Sequence, residues 1–330
     1  MTDVLVLGGT GWLSGEIARR WMDAGARVTC LARGGRDAPY GAALVRADRE
    51  APDAYLRVAD RDWDEVVDIS SNPGHVTAAL TALAPRTRHW TYVSSVSAYA
   101  SNDIAGQDES AALAVPAEPG DPYDYSRAKA ACEASVRSVV GARAAIVRPG
   151  LVVGPGDPTD RFGYWVARFA LAGDEPVLVP DLEDRDAQVI DVRDLADFLV
   201  AAGEARWVGT ANAVGDPLPL RRVLDLAREV AGHTGTVVTA GDDWLAAHDV
   251  QNWMGPRSLP LWLPPDMPGF TTRANAVYRL LGGRLRELRA TLTDTLADER
   301  ERGLDRDRVS GLTRVEEEAL LTELGIAGAP

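Results

Sequence analysis

Two side chains four positions apart, Tyr125 and Lys129, form the pattern with the clearest chemistry. Both lie in Tyr-Ser-Arg-Ala-Lys, within a segment of helix length, and this spacing places them on one helix face. A phenol ordinarily titrates at about pH 10, and an adjacent ammonium favours its ionised form, so the pair predicts a tyrosine that exchanges a proton at neutral pH. Lys129 is the single lysine among 35 basic residues, which indicates a task that arginine does not perform. A compact ammonium also suits the hydroxyls of a ribose.

A candidate partner hydroxyl lies in Val-Ser-Ser-Val-Ser-Ala-Tyr at 93–99, directly after the apolar run 90–93. If that run is a parallel strand, Ser95 follows its carboxyl end, the edge that lines the ligand crevice of a doubly wound sheet. There Ser95 can polarise a carbonyl oxygen together with Tyr125. A serine-rich segment by itself is more often only a loop. The order of glycine turn, serine and tyrosine–lysine pair favours a catalytic set of Ser95, Tyr125 and Lys129.

A glycine turn lies near residue 10. Val-Leu-Val-Leu at 4–7 is typical of a strand, and Gly8 and Gly11 follow it at the spacing of a dinucleotide-binding turn that leads into a helix. One glycine permits the tight bend, and another lets the backbone approach a pyrophosphate at the helix N-terminus. Ser14 stands where a third glycine is expected, and we interpret it as a tolerated small residue. A glycine turn that binds nothing is the alternative.

The end of the second predicted strand indicates which dinucleotide is bound. A carboxylate there would bond the ribose 2′-hydroxyl of NAD, whereas this chain has Leu-Ala-Arg-Gly-Gly-Arg at 31–36. Arg33 and Arg36 can instead clamp a 2′-phosphate, which predicts NADP(H) in preference to NAD(H). Two solvated loop arginines are the alternative, and NAD stays possible. Asp48, just beyond the third predicted strand, is placed either to contact the adenine or to form a turn.

Apolar runs alternate with helix-length segments in the first half of the chain, which predicts an α/β fold with a doubly wound parallel sheet, the Rossmann fold. The predicted strands are 4–7, 28–32, 43–45, 66–69, 90–93 and 144–147. Predicted helices follow the glycine turn and lie at 52–60, 74–84 and 125–140.

The chain is longer than a single core usually grows, so a second lobe is expected. We predict a dinucleotide-binding Rossmann domain at 1–155, to which 187–214 returns. A smaller, irregular α/β substrate lobe, rich in proline, is predicted at 156–186 and 215–330. The segment 249–270, with its tryptophans and prolines, is either a packed loop or a lid. Helices in the second half are expected at 191–202, 220–230, 285–302 and 313–324.

The charge balance and the cysteine count exclude several classes of protein. A formal net charge of −14 and a pI of about 4.8 argue against partners such as nucleic acid or an anionic membrane surface. Four histidines and two cysteines are too few for a metal cluster or a disulfide framework, so no metal site is predicted. Neither a signal peptide nor a membrane span is recognised, and a cytoplasmic protein acting on a small molecule is expected.

In this order, the motifs resemble those of the short-chain dehydrogenase/reductase superfamily, in its extended or atypical branch, the NAD-dependent epimerase/dehydratase family. The resemblance covers about residues 3–215. Tyr125 and Lys129 match the family's catalytic pair, in which the lysine also binds the cofactor, and Val-Ser-Ser at 93–95 is similar to its serine strand. The resemblance of other segments implies cofactor contacts from Gly8, Thr10, Gly11, Trp12, Leu13, Ser70, Ser71, Pro149, Gly150 and Leu151.

The C-terminal part, with Leu-Pro-Leu-Trp-Leu-Pro at 259–264, is similar to uncharacterised actinobacterial reductase-like members of the family. Two departures from family patterns narrow the chemistry. Ser95 is followed by Val96 and Ser97 rather than by the Asp-Glu pair of the sugar-nucleotide dehydratases, which argues against a 4,6-dehydratase. Leu151 stands where many sugar-nucleotide members carry an asparagine, which weakens an epimerase hypothesis.

The favoured hypothesis is an NADP(H)-dependent reductase or dehydrogenase that interconverts a carbonyl and an alcohol by hydride transfer. A redox-neutral nucleotide-sugar epimerase with tightly bound NAD(P), and a non-catalytic NAD(P)-binding sensor or scaffold, are the alternatives. Substrate contacts are predicted for Asn72, His75, Ser97, Tyr99, Phe162 and Trp165. Family members often dimerise through the helix that bears the tyrosine, which implies a possible homodimer. An apolar stripe on that helix fits either a dimer or ordinary packing, and consists of Ala128, Cys132, Val136 and Val139.

Overall fold

The computed structural model describes residues 1–326 and divides into two compact units. The first unit consists of Met1–Val152, Val192–Gly215 and Arg273–Leu285. The second unit consists of Val153–Asp191, Asp216–Thr272 and the chain from Arg286 onward. Among the described residues, no helix is both long enough and apolar enough to cross a membrane.

Strands and helices are numbered along the chain. The strands are β1 (Asp3–Leu7), β2 (Arg27–Ala32), β3 (Ala43–Arg46), β4 (Trp63–Asp68), β5 (Thr87–Val93), β6 (Ala144–Pro149), β7 (Leu151–Val153), β8 (Val177–Pro180), β9 (Asp186–Ala187), β10 (Val189–Asp191), β11 (Gly209–Ala213), β12 (Leu218–Pro219), β13 (Val237–Ala240), β14 (Gln251–Trp253) and β15 (Ser258–Pro260). The helices are α1 (Trp12–Asp23), α2 (Pro73–Leu83), α3 (Tyr125–Val140), α4 (Gly163–Ala172), α5 (Val192–Glu204), α6 (Leu220–Ala231), α7 (Asp242–Ala247), α8 (Ala276–Leu280), α9 (Leu288–Arg302) and α10 (Arg314–Glu323).

A seven-stranded sheet forms the centre of the first unit, in the order β11-β6-β5-β4-β1-β2-β3. All of its pairings are parallel, and β1 lies between β2 and β4, with Leu5 opposite Thr29 on one side and Val66 on the other. Strands of this kind are covered on both faces and therefore consist of continuous apolar runs. The predicted doubly wound α/β fold is confirmed.

Helices pack on the sheet of the first unit. Leu5 belongs to a buried cluster that also contains residues of α2 and, from α3, Cys132 and Val136. Because side chains alternate along a strand, the buried Val4 points to the opposite face. The apolar stripe predicted on α3 is thus largely ordinary core packing, although Val139 is exposed.

The helix prediction for 52–60 is wrong. These residues run through consecutive turns, in which Val58 N donates to Tyr55 O at 2.9 Å. Trp63 Nε1 also donates to Val58 O, at 2.9 Å, and fixes the end of the segment. Tyr55 and Val58 are buried three positions apart, a spacing that repeated turns and a helix share.

The segment Arg273–Leu285 departs from the predicted boundaries, because it lies in the first unit rather than with the substrate lobe. The Arg273 guanidinium carbon lies 4.1 Å from the centre of the Tyr99 ring. Further along, the Tyr278 ring of α8 packs against the Phe198 ring of α5, with centres 4.6 Å apart. These long-range contacts place the segment, and its local sequence does not reveal them.

The second unit contains a parallel pair of strands, β8 and β13, and packs α4 against α6 and α9. Its segment 249–270, predicted as a packed loop or a lid, contains the parallel pair β14 and β15 and packs in part against the rest of the unit. Trp262 is buried, and its Nε1 donates to Asp242 Oδ1 at 3.1 Å. Trp253 packs edge-on against Phe270, with ring centres 5.1 Å apart.

A buried ion pair, Glu65 and His89, joins β4 to β5 in the first unit. Both side chains are 1% exposed; His89 Nδ1 lies 2.6 Å from Glu65 Oε2, and Nε2 lies 2.7 Å from the Trp207 carbonyl oxygen. A carbonyl only accepts, so Nε2 carries a proton, and an ionised Glu65 requires a second proton on Nδ1. Burial acts to lower the pKa of His89, but the bonds to Glu65 and Trp207 outweigh burial and raise that pKa above its ordinary value.

His89→Gln is expected to destabilise the protein by about 1–3 kcal/mol in mild acid, because the buried Glu65 loses its charged partner. A raised histidine pKa contributes stability that is complete below the ordinary value and is lost as pH rises through the folded-state value. The difference in free energy of urea unfolding between wild type and variant should therefore shrink from about pH 5.5 to about pH 9.

The matched control is His248→Gln, which breaks a partly exposed contact with Glu323 and should change stability little at either pH. If the difference in unfolding free energy between wild type and His89→Gln were as large at the higher pH as at the lower pH, His89 would be neutral in the folded protein.

Candidate active site

Ser14 holds the glycine turn between β1 and α1. Gly8 has a φ of +83°, a conformation that glycine adopts without strain. Ser14 Oγ donates to Gly8 O at 2.5 Å and accepts from Gly11 N at 3.1 Å. A Cβ on Gly9 would lie 2.8 Å from Cys30 Cβ, so the turn also lies tightly against β2. The serine at the third-glycine position thus bonds both ends of the turn.

A cavity of about 670 Å³, which we call the glycine-turn cavity, opens at the carboxyl ends of β1 to β4. Seven of the residues predicted to bind the cofactor line it together: Gly8, Thr10, Gly11, Arg33, Arg36, Asp48 and Ser70. Trp12 and Leu13 begin α1 beside the turn, and Ser71 follows Ser70, but these three residues are not part of the lining.

The lining of this cavity fits a dinucleotide. Since α1 begins at the turn, the positive end of its helix dipole lies beside the cavity, a position that favours a phosphate. Arg33 and Arg36 add two cations where β2 ends, and Asp48 and Glu50 line the side that follows β3. Such a set can bind phosphates and ribose hydroxyls, the polar groups of NAD(P).

Lys129 lies directly behind the wall of the glycine-turn cavity. Its side chain is 3% exposed, and Nζ donates to three backbone carbonyls, those of Val93 at 2.8 Å, Ser70 at 3.1 Å and Ile69 at 3.2 Å. Burial lowers the pKa of Lys129 to about 8, against the opposing effect of nearby acidic groups. Because Ser70 lines the cavity, one residue separates the ammonium from it.

Tyr125 is the first residue of α3, and its side chain is 43% exposed. Asp124 caps the helix by accepting from Arg127 N at 2.8 Å. Lys129 Nζ lies 5.9 Å from the centre of the Tyr125 ring. The helix therefore places a buried ammonium beside an accessible phenol, which is the arrangement that the i,i+4 spacing predicts.

Ser95 follows the carboxyl end of β5. Its Oγ accepts from Ser97 N at 3.0 Å, which leaves the hydroxyl proton available to a carbonyl oxygen. Val93, two residues earlier, supplies a carbonyl to Lys129. The segment 149–151, for which the family resemblance implies cofactor contacts, begins at the carboxyl end of the neighbouring strand, β6.

Two residues predicted to contact the substrate, Asn72 and His75, lie at the start of α2. Asn72 Oδ1 caps this helix by accepting from Gly74 N at 2.9 Å, and Asn72 borders another cavity, of about 860 Å³, along α2 and α3. His75 instead lines the glycine-turn cavity, where its Nε2 lies 2.5 Å from Glu50 Oε1. The structure thus groups His75 with the cofactor residues.

Three other predicted substrate residues are buried in packing contacts. Tyr99 OH donates to Asn212 Oδ1 at 2.7 Å and accepts from Arg148 Nη1 at 2.9 Å. Phe162 and Trp165 are buried within the second unit. These positions give no support to a substrate contact from the three aromatic side chains.

No sequence motif predicts the ion pair beside Ser70. Arg49 donates to both carboxylate oxygens of Asp68 at 2.8 Å, and Asp68 is fully buried at the end of β4. Arg49 also lines the glycine-turn cavity. The available signal is a carboxylate that ends the buried run Val-Val-Asp, since a buried charge needs a partner.

Ser14→Ala is expected to weaken dinucleotide binding, because it removes two hydrogen bonds from the turn, each worth about 0.5–1.5 kcal/mol. If half of that energy, about 0.5–1.5 kcal/mol, reaches the bound state, the Kd for NADPH measured by calorimetry should rise by about two- to thirteenfold. Thr81→Ala, on an exposed position of α2, is the control and should bind NADPH like wild type. A Ser14→Ala variant with wild-type affinity would show that the hydroxyl is dispensable.

Residues 4–214 match the model of the NAD-dependent epimerase/dehydratase family. The chain belongs to this family. It is 30% identical over 260 residues to a 2'-dehydrokanamycin reductase from Streptomyces kanamyceticus, which covers 74% of this chain and 70% of that protein. It is 31% identical over 223 residues to a dTDP-4-dehydrorhamnose reductase from Streptomyces griseus, which covers 63% of this chain and 67% of that protein.

A solved epimerase/dehydratase-type structure has the same fold. The nucleoside-diphosphate-sugar epimerase of Pseudomonas aeruginosa aligns with a TM-score of 0.67 and 20% identity, over 92% of this chain and 99% of that chain. At this identity the likeness concerns the fold alone. The family match and the reductase relatives identify the chain as an NAD(P)-dependent enzyme of the epimerase and reductase kind, and the resemblance noted from the motifs is confirmed.

Proposed function

We propose that the chain is an NADP(H)-dependent reductase that interconverts a ketone and an alcohol on a sugar or a sugar-derived small molecule. The observation that carries the proposal is that Lys129 Nζ donates to Ser70 O, while Ser70 lines the glycine-turn cavity. One residue thus connects the tyrosine–lysine pair with a cavity suited to a dinucleotide. The two curated relatives are named as reductases of 2'-dehydrokanamycin and dTDP-4-dehydrorhamnose, which supports an oxidised sugar as the substrate class.

In this proposal each of the three side chains has its own role. NADPH supplies the hydride when it is bound. Tyr125 donates a proton to the carbonyl oxygen as that oxygen becomes a hydroxyl, and Ser95 donates a hydrogen bond to the same oxygen. Lys129 favours the ionised phenol that remains on Tyr125 after the transfer, and solvent then returns a proton to this oxygen from the exposed side of the ring.

The alternatives receive less support. An epimerase would use the same residues but would retain its cofactor and show no net change in NADPH absorbance. The solved epimerases that align with the chain support its fold, whereas the more identical curated relatives are reductases. A chain that keeps both Tyr125 and Lys129 also argues against a non-catalytic sensor.

Arg33→Ala and Arg36→Ala are each expected to raise the Kd for NADPH by about ten- to a hundredfold, because each removes a charged hydrogen bond to the 2′-phosphate. The Kd for NADH, which lacks this phosphate, should change little, and fluorescence titration with both nucleotides measures the two values. Arg57→Ala, an exposed arginine outside the cavity lining, is the control. Equal losses for NADH and NADPH would contradict a 2′-phosphate site.

Tyr125→Phe is expected to slow the oxidation of NADPH by a 4-keto sugar nucleotide or by dehydrokanamycin by about 10²–10⁴-fold, because the proton donor is removed. The Kd for NADPH should stay near the wild-type value. Stopped-flow absorbance of bound NADPH measures the rate. Tyr123→Phe is the matched control, since its exposed hydroxyl lies 3.1 Å from Ser71 Oγ and has no assigned proton transfer. Wild-type turnover by Tyr125→Phe would eliminate the proposed role.

A further inference from the structure

Lys129 is flanked by two carboxylate–arginine pairs in the first unit. Asp68 pairs with Arg49 at 2.8 Å, and Glu133 pairs with Arg148 at 2.7 Å. All four side chains are buried or nearly so. Among the described residues, Tyr92, Tyr125 and Cys132 also place titratable groups near the ammonium, and Arg137 contacts Glu133 at 3.3 Å. The charge on Lys129 therefore depends mainly on two anions, each of which is offset by at least one guanidinium.

Asp68 acts on the backbone that binds the ammonium as well as on its charge. Asp68 Oδ1 accepts from Ser70 N at 3.0 Å, which fixes the stretch 68–70. Within this stretch the carbonyls of Ile69 and Ser70 accept from Lys129 Nζ. A change at Asp68 thus reaches Lys129 both electrostatically and through two of its three acceptors.

Arg49 is held firmly in its place beside Asp68. Its Nε donates to Tyr55 OH at 2.8 Å, and its Nη2 donates to the His75 carbonyl oxygen at 2.8 Å. Arg49 lines the glycine-turn cavity, whereas Asp68 is fully buried. The pair therefore extends from the cavity to the surroundings of the ammonium.

We propose that Asp68 and Arg49 are positioning residues for Lys129: Asp68 holds the ammonium and two carbonyls that bind it, and Arg49 offsets the carboxylate so that the ammonium can release its proton. This inference rests on the proposed function only for its effect on turnover. The protonation state of Lys129 is a property of the protein itself and can be measured without substrate or cofactor.

The pKa of Lys129 depends on a balance between its burial and the nearby anions, so the loss of one anion should change it. Burial lowers the pKa of Lys129 to about 8, and Cys132, Asp68 and Glu133 act in the opposite direction. Burial raises the pKa of Cys132, which leaves its thiol neutral at physiological pH. Asp68 and Glu133 are then the anions that keep a proton on the amine, and removing or exposing either charge should move the titration.

Because the chain has a single lysine, protein labelled with [ε-¹³C]lysine gives one lysine signal, and its chemical shift against pH follows Lys129 alone. The wild-type midpoint should lie at about 8. Asp68→Asn removes the anion and should lower the midpoint, whereas Arg49→Met leaves the carboxylate unopposed and should raise it, each by on the order of one pH unit. The double variant should lie between the two single variants.

Opposite shifts distinguish positioning by charge from a purely structural role. If the substitutions only loosened the site, water would reach the amine and both midpoints would rise toward the ordinary lysine value of about 10.4. That result, or an unchanged midpoint in both variants, overturns the proposal. Arg49→Gln carries the same expectation if Arg49→Met does not fold, and a lysine at this position is avoided because it would add a second signal.

The control is Arg27→Met, which removes one arginine charge from a pair with Asp3 at the amino ends of β1 and β2, and it should leave the Lys129 midpoint unchanged. In the NADPH oxidation assay, the pH profile of the two variants should shift in the same directions as their lysine midpoints. Shifted midpoints in a protein without reductase turnover would refute the proposed function and keep the positioning role. Reductase turnover with unshifted midpoints would refute the positioning role and keep the proposed function.

Discussion

A buried ammonium needs an acceptor for each of its three protons, and the carboxyl ends of two neighbouring strands provide them for Lys129. The Val93 carbonyl ends β5, and the carbonyls of Ile69 and Ser70 follow β4. The parallel pairing of β4 with β5 brings these three groups together, and α3 carries the amine to them. Of these two strand ends, that of β4 also borders the glycine-turn cavity, through Ile69 and Ser70, so the sheet order fixes both the cavity and the ammonium behind it.

Arginine and lysine have separate tasks in this chain. Arg49 and Arg148 each meet a buried carboxylate with two donors, a geometry that suits a planar guanidinium that keeps its charge when buried. Lys129 donates to uncharged carbonyls, and its pKa of about 8 lies close to physiological pH. The guanidiniums therefore stabilise fixed anions, whereas the ammonium is a cation whose charge can change near physiological pH.

The features that could be predicted from the sequence are local patterns with a fixed period or spacing, such as the apolar runs of the strands, the glycine turn, and Tyr125 with Lys129. The buried ion pairs could not be predicted, because Asp68 and Arg49 lie 19 positions apart and meet only once the strand order is known. At Ser14 the sequence indicates a small residue, but the two bonds of its hydroxyl depend on the conformation of the turn.

The first unit is closed by a part of the chain that the ribosome makes late. Arg273 Nη2 donates to Ser101 O, 172 positions earlier, and lies over the ring of Tyr99. During synthesis, Tyr99 and Ser101 therefore cannot form these contacts with Arg273 until most of the second unit has been translated. Closing so long a stretch of chain is slow. The final packing of the unit that holds the glycine-turn cavity is thus a late event in folding, although its first strands are made at the start.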